Sequence, residues 1–557
     1  MKRLILFFKA SLLYVFLGSV QLHAQSVPVG TPIFEDAYRR AQLLGQIDSS
    51  ISFTSRPFFP AASLHIDNNF DPDKSLKNNH WTNFGGPYRF VKNIIVFQLL
   101  PLTWIQQYNS DHPAGINDGI MIPNRGYQNL FSAGIFVKFG PLSIQFRPEV
   151  VYAENRAIER KVYEGIPYNP QIESWYADHI YGIDLPDRFG EKFYQKRSWG
   201  QSSIRLTIGP VSFGLSNENL WWGPGMRNAL LMTNNAPGFK HFTLNTVKPF
   251  RTPIGSFEGQ IIAGQLESSG FSPSKPIDWR YINGVVLSYQ PRWVSGLFLG
   301  ATRSFQVYHE DMGNSLSDYL PVFIPVAKKA IGGIVEDKKG RDQLASLFMR
   351  WLWAKGHGEI YFEYGREDHS WNLRDFVTEP SSSAAFIIGL RKLIIINTQK
   401  NEYIQVNMEL TQLEMDITTR NRRGGSWYLH SSVVHGYTHN GQLLGAGIGP
   451  GSNLQTLNIS WNKNLNLIGI QFERFVHDND FFYNYIHDIR ANWVDLNAAL
   501  FSEWNYKNLL FNIKFETIYS MNYKWQYSPK LTFPQVYWNS TKNVYNFHGQ
   551  LGITYRF

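Results

Sequence analysis

The sequence predicts an all-β transmembrane barrel of roughly 18 antiparallel strands, preceded by a small N-terminal helical periplasmic segment. Three observations predict it. Apolar and polar residues alternate along most of the chain, a basic and apolar leader opens it, and no later stretch has the about 20 apolar residues of a spanning helix. The predicted divisions are a signal peptide over residues 1–24, an N-terminal segment over 25–90 and the barrel over 91–557.

The composition of the 557-residue chain excludes several other classes of protein. Charged residues make up 17% and aromatic residues 15%, the reverse of a disordered chain. There is no cysteine, so disulfides, thiolate metal sites and cysteine nucleophiles are excluded. The net charge is +9, and it falls to +6 without Lys2, Arg3 and Lys9 of the leader. Because this surplus is spread along the chain, no nucleic-acid partner is expected.

The leader has the order of a secretory signal peptide. Met1–Lys2–Arg3 is basic, residues 4–20 are mostly apolar, and Ala24 supplies a small residue before Gln25. This order favours cleavage near Ala24 over an uncleaved anchor. The mature chain is therefore expected to be exported. Together with the predicted barrel, this places it in the bacterial outer membrane.

Residues 25–90 have a different pattern from the rest of the chain. Thr31–Pro32 is a typical helix start, apolar residues recur at helical spacing from Ile33 to Leu44, and Gly45 can end the helix. A helix this short is marginal alone in water and needs a packing partner. We expect it to pack at the periplasmic mouth of the barrel, as a candidate plug.

The last strand shows the barrel pattern most clearly. One face carries aromatic residues at both ends with aliphatic residues between them, the order of a bilayer-crossing strand with aromatic girdles. That face holds Tyr545, Phe547, Leu551, Ile553, Tyr555 and Phe557, and the other holds Asn546, His548, Gln550, Thr554 and Arg556. The expected partners are outer-membrane lipid and, through the strand that ends at Phe557, the barrel assembly machinery.

The same alternation recurs over residues 142–150, 404–411 and 509–519. A soluble sandwich also alternates, but the leader, the girdle order and the lack of another membrane anchor favour the barrel. A barrel in lipid places the charged faces in its lumen, namely Arg147, Glu149, Glu409, Lys514, Glu516 and Arg556. At about 25 residues per strand and loop, residues 91–557 provide roughly 18 strands.

Two motifs resemble signatures of the capsule assembly Wzi family. Residues 221–237 contain Trp-Trp-Gly-Pro-Gly and end in Asn234–Asn235–Ala236–Pro237, and residues 441–453 form a glycine-rich run. The N-terminal runs Asp36–Arg40 and Ser55–Pro57 are also similar to that family. The resemblance spans most of the chain and is tilted toward the branch found in Bacteroidetes-type bacteria. It implies an outer-membrane barrel that holds or assembles surface polysaccharide by lectin-like binding.

The candidate polysaccharide-binding residues lie in the first motif. Sugar sites combine aromatic faces with a few convergent polar groups. Those types are supplied by Trp221, Trp222, Arg227, Asn234 and Asn235. A purely architectural loop, bent at Gly223 and Gly225, is the alternative interpretation. The run 441–453 is interpreted as a tight structured loop.

Metal and catalytic interpretations of the sequence are weaker. His477–Asp478–Asn479–Asp480 and His487–Asp488 contain ligand types, but their spacing fits no zinc or calcium pattern, and a solvated surface loop is preferred. The P-loop, His-Glu-x-x-His and Gly-x-Ser-x-Gly motifs are absent. No metal, other cofactor or catalytic residue is predicted.

The function expected from the sequence is therefore the assembly or attachment of capsular polysaccharide or exopolysaccharide at the cell surface, without catalysis. A pore for sugars or other small solutes is the first alternative. An outer-membrane hydrolase, built from scattered serine, histidine and aspartate residues meeting in the barrel, is the second.

Overall fold

The computed structural model describes most of the chain after the predicted signal peptide, which itself lies outside the described residues. The described ranges are 25–76, 86–91, 94–158, 169–180, 182–271, 279–323, 340–367, 373–378, 380–416, 425–487, 491–526 and 543–557.

Eighteen strands form one closed antiparallel barrel, as the sequence predicts. Three of them, β3, β4 and β6, are each interrupted by a short irregular step. In chain order they are β1 Ile95–Ala114, β2 Asn124–Phe139, β3 Leu142–Phe146 with Glu149–Ala153, β4 Tyr194–Ser198 with Ser203–Ile208, β5 Val211–Ser216, β6 His241–Thr246 with Phe250–Thr252, β7 Gly255–Leu266, β8 Arg280–Pro291, β9 Leu297–Tyr308, β10 Asp342–Trp353, β11 Gly358–Glu367, β12 Ala384–Asn397, β13 Glu402–Gln412, β14 Asn453–Lys463, β15 Asn466–Val476, β16 Val494–Tyr506, β17 Leu509–Met521 and β18 Val544–Tyr555.

The register closes the sheet on itself. Each strand pairs antiparallel with its sequence neighbour, and β18 pairs with β1, with Ile553 opposite Trp104 and Gly549 opposite Tyr108. Closure leaves no long unpaired edge, which is the condition for a sheet to cross a bilayer. Tyr88–Phe90 adds a three-residue strand against the start of β1, and Ser55–Arg56, Trp221–Trp222, Thr438–His439 and Gln442–Leu443 form two small separate sheets.

The two faces of the barrel wall have the polarity predicted for lipid outside and a polar lumen. On β17, Phe515 is 63% exposed whereas its neighbour Glu516 is 8% exposed. On β18, Tyr545 and Phe547 are exposed while Asn546 and His548 are buried. The six charged residues predicted to face the lumen are all on the inward face. An apolar exterior around a polar interior is the reverse of a soluble sandwich.

Helices are few and short. The α-helices are α1 Pro32–Leu43, α2 Pro60–Leu64, α3 Pro170–His179, α4 Leu316–Tyr319, α5 Leu373–Thr378 and α6 Asn479–Phe481, which continues as a π-turn over Phe482–Ile486. Short 3₁₀ turns cover His309–Asp311, Pro321–Phe323, Ala354–Gly356 and Tyr523–Trp525. Within the described ranges, no helix is long and apolar enough to span a membrane.

The N-terminal helix forms where the sequence predicts it and packs inside the barrel. Thr31 precedes α1, but its hydroxyl donates to the Pro28 carbonyl and does not cap the helix. One face of α1 buries Ile33, Phe34 and Tyr38 against lumen-facing Leu100 and other apolar side chains. The predicted loop that follows is described only up to residue 76.

Buried ion pairs tie this N-terminal segment to the barrel wall. The Glu359 carboxylate on β11 accepts from Arg39 of α1 at 2.8 Å and from Arg350 of β10 at 2.7 Å. Arg350 also donates to the Gln42 side-chain oxygen and to the Ser52 carbonyl, both at 2.8 Å. A buried charge is costly unless it is paired and hydrogen-bonded. These contacts therefore pair the buried charges of the wall together with those of the N-terminal segment.

The outward face of β18 generates a stability prediction. Leu551 lies near the middle of the strand and is 37% exposed, whereas the neighbouring Gln550 faces the lumen and accepts a hydrogen bond from Gln107 at 3.1 Å. Leu551→Arg should lower the free energy of unfolding by about 2–4 kcal/mol, the cost of a cation on the lipid face near the midplane.

Gln550→Arg is the matched control and should cost much less, because its side chain stays in the polar lumen. Denaturant titration of the protein refolded in liposomes measures both changes. Equal costs for the two variants would contradict the assignment of the strand faces.

Candidate functional site

The first sequence motif, residues 221–237, folds inward from the barrel wall between β5 and β6. Trp221 and Trp222 pair with the N-terminal segment, with Ser55 opposite Trp222 and Arg56 opposite Trp221. Trp222 N–H donates to the Met232 carbonyl at 3.1 Å and closes the loop on itself. The motif and the N-terminal runs that resemble the same family are therefore in direct contact.

The two tryptophans have different surroundings. Trp222 is fully buried, and its Nε1 donates to the Gln260 side-chain oxygen at 3.0 Å. Its ring lies against Gly284, where a Cβ atom would stand 2.7 Å from the ring. The guanidinium of Arg56 lies 4.3 Å from the centroid of the Trp221 ring, a cation–π contact. Both rings are buried, but Trp221, which is 4% exposed, lines the cavity in the lumen and Trp222 does not.

Backbone groups at the centre of the motif bind a wall carboxylate. The N–H groups of Met226, Arg227 and Asn228 donate to Glu409 at 2.7, 3.0 and 2.8 Å. The Tyr361 hydroxyl donates to the same carboxylate at 2.7 Å. Successive N–H groups form an anion-binding concavity, and here the anion is a side chain of β13. The alternation places Glu409 in the lumen, but the sequence carries no signal for this partner.

Arg227 faces another carboxylate across the lumen. Its Nε and one terminal nitrogen donate to the two oxygens of Glu473 at 2.8 and 3.1 Å, a bidentate pair. The Arg227 side chain is 22% exposed and Glu473 only 2%. The guanidinium group of Arg227 is thus bound by Glu473, and one edge of the side chain remains exposed to the lumen.

The two asparagines use their amides within the protein. Asn234 donates to the Asn117 carbonyl at 2.7 Å and accepts from Asn219 at 2.8 Å. Asn235 donates to the Leu443 carbonyl at 3.1 Å and accepts from the Asn117 N–H at 3.3 Å. These bonds fix the end of the motif against two other loops.

The glycine-rich run 441–453 packs directly on the first motif. Thr233 N–H donates to the Leu444 carbonyl at 2.8 Å, and Tyr428 O–H donates to the Leu230 carbonyl at 2.8 Å. At Gly447 a Cβ atom would stand 2.2 Å from the Asn235 side chain, so the close approach needs glycine. Together the two loops build a buried apolar core inside the barrel, to which each contributes several side chains.

A cavity of about 700 Å³ remains in the lumen beside these loops, and we call it the chamber. Trp221, Arg227, Asn234 and Asn235 lie on one side of it. The structure thus brings four of the five candidate residues to one chamber and leaves Trp222 behind them, outside its lining.

The chamber lining also includes a cluster that we call the aromatic wall, formed by Phe475, His477, Trp493 and Tyr523. The His477 and Trp493 rings stack with centroids 3.7 Å apart at 11°, and Tyr523 meets Trp493 edge-on at 5.0 Å. Asp495 accepts from Trp493 Nε1 at 2.9 Å and lies 2.7 Å from His477 Nε2. The sequence contains no local signal for this wall, because its four residues lie at or next to the ends of different strands.

The segment at 477–480 is not the solvated surface loop that the sequence analysis prefers. Asp478, Asn479 and Asp480 are buried, because they are held by backbone groups of neighbouring loops. Asp478 accepts from Phe481 N–H at 2.9 Å, and Asp480 accepts from Met415 N–H at 2.9 Å. Across the described ranges, no group of three or more histidine or carboxylate residues is placed to hold a metal ion. Asp488 lies outside these ranges.

A family model described as capsule assembly protein Wzi matches residues 124–507, more than half of the chain. A search of curated protein sequences finds no match.

Among solved structures, the chain is similar to Escherichia coli Wzi, described as an outer-membrane protein involved in group 1 capsule assembly and a carbohydrate-binding β-barrel. The TM-score is 0.61 at 14% identity, covering 96% of this chain and 100% of that one. This likeness shows a shared fold. Acinetobacter baumannii OccAB4 matches with a TM-score of 0.38 at 11% identity, covering 82% and 97%, and Pseudomonas aeruginosa OccD3 with 0.39 at 8%, covering 85% and 93%.

The contact between Glu409 and the first motif generates a prediction. Glu409→Ala removes the acceptor of three buried N–H groups, and each unsatisfied group costs about 1–3 kcal/mol. Hydrogen exchange at Met226, Arg227 and Asn228 should therefore accelerate by at least about tenfold.

Met408→Ala is the matched control, since Met408 is the adjacent residue on β13 and faces outward, 48% exposed. It should leave exchange at those three amides unchanged. Unaltered exchange in Glu409→Ala would show that the loop is held by other contacts.

Proposed function

Because the chain belongs to the capsule assembly Wzi family, we propose that it is a bacterial outer-membrane β-barrel that helps assemble or attach capsular polysaccharide or exopolysaccharide at the cell surface. It does so by lectin-like binding and catalyses no reaction. The observation that carries the proposal is the chamber, which combines half-buried aromatic rings with polar side chains and is enclosed by the motifs that resemble this family. Aromatic faces with a few fixed polar groups are the ordinary components of a sugar site.

The outer surface supports the proposed location. Its apolar side chains match lipid, as expected for an outer-membrane barrel after signal-peptide cleavage near Ala24. The barrel assembly machinery is the proposed partner for insertion, through the strand that ends at Phe557.

The N-terminal segment is proposed to act as a plug. Within residues 25–76 it buries an apolar helix face in the lumen and pairs Arg39 with Glu359 of the wall. A barrel of 16–18 strands leaves an aqueous channel unless something fills it. In this proposal the segment closes one part of that channel, at the periplasmic side, and the two inward loops close another.

The five candidate residues receive different proposed roles. Trp221 and the open edge of Arg227 are proposed to contact polysaccharide, with Asn234 and Asn235 at the margin of that surface. Trp222 supports the surface from behind, because its ring is fully buried. In this proposal the same motif contains residues that contact the polysaccharide and residues that support the binding surface.

A pore for sugars or small solutes is the second candidate, and the closed barrel with its polar lumen is the observation that favours it. The packed loops and the N-terminal segment oppose it, because they occupy the lumen that a pore needs. A hydrolase remains the third and least supported candidate, since no feature of the described chamber favours catalysis over binding.

Deletion of the gene in the source bacterium tests the proposal. The polysaccharide should be lost from the cell surface and recovered in the medium, with the total amount unchanged, because attachment fails while secretion continues. Quantifying cell-associated and released polysaccharide measures this.

Complementation with the wild-type gene should restore attachment, and complementation with Trp221→Ala should restore less than wild type. Heat-modifiable mobility in detergent gels checks that this variant folds. A deletion strain with normal cell-associated polysaccharide would refute the proposed function.

A further inference from the structure

We infer that the chamber takes an uncharged segment of a saccharide chain, with a hexopyranose ring against Trp493 and Tyr523 of the aromatic wall, and disfavours a polyanion. The inference rests on the proposed function, since it specifies which saccharide chemistry the same chamber accepts. Three independent features support it: the aromatic wall, the pairing of the charged groups, and the unpaired amides of the chamber lining.

The aromatic wall presents ring surface that is held in place from behind. Trp493 and Tyr523 are half-buried and line the chamber. Asp495 fixes the Trp493 indole through its Nε1, and the stacked His477 ring covers one face of the indole. Aromatic rings with two torsion angles lose little conformational freedom when they bind, and their faces suit the C–H side of a pyranose. The site is therefore pre-organised.

The cations around the chamber are engaged by groups of the protein. Its lining contains eight carboxyl side chains and five cationic ones. Each of the cations, Arg39, Arg56, Arg227, Lys514 and Lys524, lies within 4 Å of a carboxyl oxygen. A polyanion would have to displace one of these partners and leave it uncompensated, which is costly in a buried site.

Protonation does not reverse this balance. Burial raises the pKa of Glu35 to about 8, so this partner of Arg56 is largely protonated at pH 7. Arg56 then remains stacked on Trp221 and donates to the Gly225 carbonyl at 3.3 Å. Burial also raises the pKa of Asp118 to about 6, below neutral pH. With Glu35 neutral, carboxylates still outnumber cations in the lining by seven to five.

Neutral amides also line the chamber. Gln471, Asn497 and Asn512 all line the chamber, and each carries one buried polar atom without a hydrogen-bond partner in the described structure. A buried unpaired amide group costs free energy, and a ligand that pairs it recovers that cost. A hydroxyl group can both donate and accept a hydrogen bond. The hydroxyls of an uncharged saccharide chain can therefore accept from the Gln471 nitrogen and donate to the side-chain oxygens of Asn497 and Asn512.

The planar guanidinium of Arg227 could in principle pair with a carboxylate of a glycan. We assign it a different role. Both of its engaged nitrogens are held by Glu473. Arg227 is therefore a positioning residue that fixes the motif to Glu473 of β15, while the ring stacking is assigned to Trp493 and Tyr523.

The test uses polysaccharide purified from the source bacterium and the full-length protein in detergent. One portion of the polysaccharide is carboxyl-reduced, which converts any uronic acids to neutral hexoses. Wild-type protein should bind the reduced form at least as tightly as the native form, and raising NaCl from about 50 to about 500 mM should not weaken binding. Loss of binding on reduction, or a steep fall with salt, would overturn the inference.

The aromatic wall is tested separately with Trp493→Ala, which should bind the reduced polysaccharide about tenfold more weakly, as expected for one lost aromatic contact. Trp493→Phe keeps a ring and should stay close to wild type. Trp504→Ala is the matched control, since Trp504 lies on β16, the strand that Trp493 immediately precedes, and is 51% exposed on the outer face. Heat-modifiable mobility and the response of Trp493→Phe separate a binding defect from misfolding.

The outcomes separate a failure of this inference from a failure of the proposed function. Wild-type binding with an unaffected Trp493→Ala variant would overturn this inference and leave the proposed function standing. No wild-type binding to either form of the polysaccharide would refute the proposed function and the inference together.

Discussion

The pairing of charges inside the lumen is the constraint on which the rest of the structure depends. A closed sheet in lipid turns its apolar side chains outward, so its charged side chains must face inward. Glu359, Glu409 and Glu473 are all buried on that inner face. Each needs donors, and in each case the structure supplies one or more of them from a segment that is not part of the wall: Arg39 for Glu359, the Met226–Asn228 backbone for Glu409, and Arg227 for Glu473.

The same pairing determines what remains for function. The N-terminal segment and the first motif are bound to the wall by these contacts, and the run 441–453 packs on the first motif, so packed layers occupy the lumen beside the chamber. Because the cations are used in internal contacts, the neutral groups that the chamber offers to a ligand include aromatic rings and amides. A site of that chemistry suits a saccharide better than an ion or a small charged solute, which links the fold to the proposed attachment of polysaccharide.

The sequence predicts the wall well and the interior poorly, for a physical reason. Period-two alternation reports which face of a strand meets lipid, and it correctly assigns Tyr545 and Phe547 to one face and Asn546 and His548 to the other. Helical spacing likewise locates Pro32–Leu43 within one residue of its predicted bounds. Contacts across the lumen have no such local signal. The aromatic wall and the backbone donors to Glu409 join residues far apart in the chain, and the buried Asp478 and Asp480 look like exposed loop residues in sequence alone.

Planar-bilayer recording of the purified full-length barrel tests the central claim, a lumen closed by internally paired segments, most directly. An unobstructed barrel of this strand number would conduct steadily, since porins of 16–18 strands contain an aqueous channel. The account predicts insertion without steady large currents, with any conductance small and intermittent. A steady large conductance from correctly folded wild-type protein would contradict the account and favour a transport pore.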